Sequence, residues 1–215
     1  MTASTLRPRL RGRSHQVAFV VALALVPVMI VIAPGVGARF VVAVYALAIA
    51  ALFGVSAAYH RGDWSTVARA RMRRLDHSMI FLAIAATYTP IAAFALSPTS
   101  SRLVLPVVWG GAAVGIVIRN VWHHAPAPVA TAPYVVVGWV AVLVMADVWR
   151  SLGVAGFTLI AAGGLLYTVG AVIYALHRPD PWPRTFGYHE VFHLLVIGGA
   201  ALHYVGIAFV ALPKA

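Results

Sequence analysis

The segment HEVFH, His189 to His193, sets two imidazoles four residues apart with a carboxylate beside the first. On a helix that spacing brings both rings to one face. Such pairs bind zinc in the H-E-x-x-H motif, where the glutamate serves as general base. A catalytic zinc takes three protein ligands and keeps a fourth position for water. The chain has no cysteine, so histidine and carboxylate must supply every ligand to a transition metal. His60 is the natural third: it closes an apolar run in SAAYH, with Ser56 four residues earlier on the same helical face. Asp76 opens another apolar run in RRLDHSMIF. It would orient the bound water or a histidine, and Ser56 could hydrogen-bond the same water. A protease reading of the motif is poorly served. Only 22 residues follow His193, without a carboxylate, and the Gly and final His of the extended protease motif are replaced by Val196 and Gly199. Glu190 lies ~100° around the helix from His189 and is not needed as a ligand.

The elements that must position these groups are membrane spans. Of 215 residues, 62% are hydrophobic and 10% charged, against about half and a quarter in a soluble domain. Runs near 16–34, 38–60, 77–96, 102–119, 133–149, 153–176 and 188–210 are each near the roughly 20 residues needed to cross a bilayer. The expected fold is all-α, a single seven-transmembrane helix bundle over residues 1–215, with residues 1–14 as a basic cytoplasmic tail. A β-barrel would show short alternating segments instead. His60, Asp76 and His189/His193 then fall at the ends of three spans on one side, at one membrane depth. Ionisable groups at such positions are expensive to hold and mark functional sites.

The net charge of +11 could suggest nucleic acid, but its distribution excludes that reading. Twelve of the sixteen basic residues fall in the tail and alternate loops, which makes that side cytoplasmic and puts the C-terminus outside. The apolar run after RPRLRGR is too long for an ordinary signal peptide and reads as a retained span. Pro-rich stretches at 125–133 and 177–187 break helices, and Pro27, Pro90 and Pro106 lie inside spans. The pairs Gly110-Gly111, Gly163-Gly164 and Gly198-Gly199 would let helices approach closely.

SAAYH (56–60), RRLDHSMIFLAIAATYTP (73–90) and YHEVFHLLVIGGAALHY (188–204) together resemble the signature segments of the hemolysin III family. That family belongs to the progestin and adipoQ receptor superfamily, which includes the adiponectin receptors. The likeness runs from about His15 to Val210. It implies a seven-helix fold enclosing Zn2+ held by His60, His189 and His193, with Asp76 at the zinc-bound water and Ser56 nearby. It also implies a multi-pass protein of the inner (plasma) membrane. Relatedness to the alkaline ceramidases implies hydrolysis of a lipid amide or ester, with a membrane lipid or fatty-acyl substrate. A receptor or regulator of lipid composition or membrane energetics, with structural zinc, is the alternative. A pore-forming cytolysin is disfavoured because the spans carry too few polar residues to line a water-filled path.

The remaining polar residues have subsidiary expected places. His77 supports the site from beside the ligands, and His203 hydrogen-bonds within the bundle. His123 and His124 sit at the interface beside Trp122, while His15 and His177 meet headgroups. Asp147 pairs with Arg150.

Overall fold

A computed structural model describes residues 8–122 and 126–215, so Arg7 and the expected interfacial pair His123 and His124 lie outside the described residues. The long Ala, Leu and Val runs form helices α1 (Arg13–Ile32), α2 (Gly35–Arg61), α3 (Thr66–Ala95) and α4 (Pro98–Val121). Then come α5 (Ala127–Trp139), a 3-10 stretch (Val140–Val144), α6 (Met145–Leu176) and α7 (Tyr188–Val205). Wider π-type turns extend α7 over Gly206–Ala211. Polar residues set the boundaries. Ser65 and Ser97 cap α3 and α4 by accepting from the backbone N–H of Ala68 and Ser100, and Pro98 occupies the first turn of α4, where no N–H is needed.

Among the described residues, six helical runs are long and apolar enough to cross a membrane. Five match the expected spans. The sixth, Thr131–Leu176, joins the two runs expected at 133–149 and 153–176. Within it Gly153 leaves helical geometry, at φ 64° and ψ −163°, a conformation natural only to glycine.

Consecutive helices α1 to α4 pack in sequence, α6 packs on α7, and α7 returns to α1. α3 runs through the middle, touching α2, α4, α5 and α6. Small residues permit the closest crossings. A Cβ at Gly115 would stand 2.2 Å from the Phe81 ring, and one at Gly163 2.3 Å from His203. Of the three glycine pairs only some members serve this purpose: Gly110 and Gly164 face open space, while Gly163 and Gly199 meet across α6 and α7. His203 fills the same crossing and reaches the Ile160 carbonyl at 3.0 Å, as its expected place in the bundle requires.

Candidate metal centre

The last turn of α2 and the first two turns of α7 meet at one end of the bundle. His60, His189 and His193 offer ring nitrogens that all lie within 4.8 Å of one another. The Nε2 atoms of His60 and His189 are 3.1 Å apart, and the ring of His193 lies 4.5 Å from His189 and 5.2 Å from His60. His193 is 1% exposed, and its Nδ1 has no hydrogen-bond partner among the described residues. Zn–N bonds of about 2.0–2.1 Å put tetrahedral ligand nitrogens ~3.4 Å apart. Small shifts of the three rings would meet that spacing, so these residues fit a metal ion.

Asp76 is buried and stands outside the trio of donor atoms, on α3, where its carboxyl pairs with the Ser56 side chain. Ser56, His60, Asp76, His189 and His193 line one cavity of about 1080 Å³. From the histidine end this cavity runs between α3 and α6, past Ile80, Ile84, Ile91, Val144 and Ile160. The histidine trio and Asp76 therefore gather at one end of a long, largely apolar chamber, whose further walls carry scattered polar groups such as Thr87, Tyr167 and His203.

α7 begins here because Gly187 caps it and the Glu190 side chain closes the first turn, accepting from the Gly187 N–H at 2.8 Å. The other Glu190 oxygen meets Arg11 Nε at 2.6 Å, in a pair with side-chain exposures of 2% and 18%. The glutamate of H-E-x-x-H is thus occupied as a helix cap and counter-ion, which removes the general base a protease would need. His77 turns towards α4, where Arg119 Nη2 lies 2.7 Å from its Nδ1. Asp147 pairs with Arg150 at 3.5 Å, as expected, and His177 is exposed.

His15 corrects the sequence reading. Expected at lipid headgroups, it is 3% exposed and stacks on His193, ring centroids 3.7 Å apart and planes within 12°. The cause is the path of the chain into α1. The N–H groups of Arg9 and Leu10 donate to the carbonyls of Arg184 and Thr185 at 3.1 Å each, tying this segment beneath α7. Gly12 then turns it into the helix at φ 76°, so close to α2 that a Cβ would fall 2.6 Å from His60 Cβ. Arg11, Gly12 and His15 thereby close the site from below. The i, i+4 spacing of Arg11 and His15 is the same signal that singled out His189 and His193.

A helical bundle of this hydrophobicity, with buried histidines at one end of an apolar chamber, defines a multi-pass integral membrane protein with a site able to hold a metal ion. The profile of the Haemolysin-III related family matches residues 3–204, and the chain belongs to that family. It is 33% identical to Hemolysin-3 of Bacillus cereus over 141 residues, 66% of this chain and 62% of the relative. It is 27% identical to the human monocyte to macrophage differentiation factor over 172 residues, 76% and 67% of the two chains. A 56-residue stretch is 45% identical to the Drosophila melanogaster adiponectin receptor protein, 24% and 13% of the two chains. The matches to two Bacillus relatives span 62% and 61% of their lengths, less than two thirds.

Proposed function

We propose that this protein is a zinc-dependent hydrolase of lipid amides or esters, with His60, His189 and His193 holding the metal and Asp76 acting as proton acceptor. The observation that supports this reading is the position of three convergent imidazoles in the wall of a long, largely apolar cavity, with a buried carboxylate beside them. Zinc held there would supply a Lewis acid and a water whose pKa falls towards ~7. Asp76 takes the proton of the attacking water, while Ser56 fixes the carboxylate's orientation. The same carboxyl then returns the proton to the nitrogen or oxygen that leaves as the acyl bond breaks. The products are a fatty acid and an amine or alcohol. The chamber between α3 and α6 holds the acyl chain and excludes water from the reacting carbonyl.

The same reading takes Thr131–Leu176 as two crossings. A continuous helix of 46 residues would measure about 69 Å, more than twice the roughly 30 Å of hydrocarbon, and Gly153 supplies the break. Seven spans, a cytoplasmic N-terminus, an external C-terminus and an inner-membrane location follow from this count with the distribution of arginines.

The test is zinc content measured beside fatty-acid release from ceramide-like amides and acyl esters, wild type against Asp76→Asn. The variant is expected to keep its zinc, because the three histidines remain, and to lose ~10²–10⁴ in rate. Unchanged turnover with zinc retained would remove Asp76 from the mechanism. No turnover by wild type on either lipid class would overturn the hydrolase.

A further inference from the structure

The cavity carries a second polar feature, distinct from the histidine site. Along one face of α3, Arg69 and Arg73 are followed by Asp76 and His77, and deeper by apolar residues, all lining the chamber. The i, i+4 and i, i+7 spacings keep this stripe on one side of the helix. Arg119 of α4 joins it: its Nη2 meets His77 and its side chain also faces the Tyr134 hydroxyl, while its Nε and Nη1 are buried with no close hydrogen-bond partner among the described residues. His77 lies within the field of both Arg119 and Arg73.

The chain's acids do not neutralise these arginines. It has five, and Glu190 pairs with Arg11, Asp147 with Arg150, and Asp76 with Ser56. Asp180 accepts from the Tyr188 N–H, and Asp63 is exposed beyond the start of α3. Arg69 is exposed at the mouth of the chamber and Arg73 half-buried, while the buried N–H groups of Arg119 are costly without acceptors, and a ligand oxygen is their natural complement. Topology alone would be served by Arg61 and Arg71, which do not line the chamber.

We propose that the substrate is an anionic amphiphile whose phosphate-bearing headgroup sits among Arg69, Arg73 and Arg119. The inference rests on the reading of the cavity as an acyl-lipid site. Arg73 lies about 4.5 Å, and Arg69 about 10 Å, along the helix axis from Asp76. A phosphate held there puts an acyl linkage one short glycerol spacer deeper, level with Asp76 and the histidines. Beyond Asp76 the stripe continues to Ile91, about 22 Å further, which accommodates a long acyl chain. Arginine suits this role because its planar fork matches phosphate oxygens and keeps its charge when partly buried.

The experiment uses zinc-loaded full-length protein in a neutral detergent and displacement of a fluorescent fatty-acyl probe. Competitors are an oleyl ether of glycerol phosphate, the matching oleyl ether of glycerol, and oleate; none has a bond the enzyme would hydrolyse. The ether phosphate is expected to bind about tenfold or more tighter than the neutral ether. Arg73→Gln and Arg119→Gln should each remove most of that preference, and Arg71→Gln should leave it. Affinity for the neutral ether is the internal fold control, since a misfolded variant loses both ligands. Equal binding of phosphate and neutral ethers by wild type would overturn the headgroup site while leaving the acyl-lipid reading intact. Oleate binding as tightly as the ether phosphate would overturn the phosphate assignment. Failure of all three to displace the probe would overturn both.

Discussion

The helices that carry the site and the helices that ring them differ in burial but not in hydropathy. In their most apolar windows α2, α3 and α7 bury 44%, 61% and 44% of residues, whereas α1, α4 and the 131–176 run bury 17%, 22% and 22%. Hydropathy does not follow this division: α1 and α2 are the most apolar spans, and α3 and α4 the least. In a bilayer the outer surface has no reason to be polar, so hydrophobicity marks the lipid-facing helices as strongly as the core. The polar and small residues mark the interior instead, because a charged or hydrogen-bonding group facing lipid has no partner. The contrast runs by turn as well as by helix. α1 is peripheral along its length, but its first turn places His15 on His193.

The largest expected effect lies inside the buried set. His193→Ala should lower zinc affinity by more than the ~10–100-fold typical of losing an outer partner of a metal ligand. His15→Ala, which removes only the ring stacked on His193, should stay within that range. Zinc titration of the purified variants by elemental analysis compares the two directly. Equal losses would mean that His15 belongs to the ligand set and that the division between ligand and support is misplaced.

Next in size is the ion pair that locks α1 to α7. Glu190→Gln keeps an acceptor for the Gly187 N–H but leaves Arg11 without its charge partner, which should cost about 1.5–3 kcal/mol in unfolding experiments. Zinc stoichiometry should be unchanged, because Glu190 is turned to Arg11. Zinc lost in parallel with stability would return Glu190 to the metal and revive the protease-like arrangement.

The histidine trio was legible in the sequence because two signals coincided. The i, i+4 pair in α7 and the histidine closing α2 both fall at span ends on one side, and little else there can ligate a metal. His15 was obscured because a histidine beside arginines at the start of a span has the same appearance whether it meets headgroups or the core. Its burial depends on the return of α1 to α7, a contact between segments more than 170 residues apart. One local clue existed: the buried residues of α1 are His15, Ala22 and Met29, spaced by seven, a narrow seam on an otherwise lipid-facing helix. Glu190 was ambiguous for a similar reason. Its angle from His189 allows either the metal or a neighbour, and only the three-dimensional position of Arg11 decides. The 133–149 and 153–176 runs were separable by sequence, but their helical continuity up to Gly153 was not, since a glycine with positive φ is indistinguishable in sequence from a helical one.

The smallest effect is the sharpest probe of the inner and outer division, because it compares neighbouring residues of the same type. Gly163 faces α7, where a methyl group would collide with His203 at 2.3 Å and approach the Gly199 carbonyl at 3.1 Å. Gly164, one step around α6, has nothing within 4 Å. Gly163→Ala should therefore separate α6 from α7 and cost about 1–3 kcal/mol. Gly164→Ala should be neutral or stabilise by up to about 1 kcal/mol, since alanine loses less backbone freedom in a helix. Thermal unfolding in one detergent measures both. The Gly163 change should also loosen the His203 hydrogen bond to Ile160, while His193 and His189, about three and four turns away along α7, keep their zinc. If the two alanine variants unfold alike, the close contact of α6 with α7 does not hold the bundle together. The packing of α2, α3 and α7 around the site would then have to stand without it.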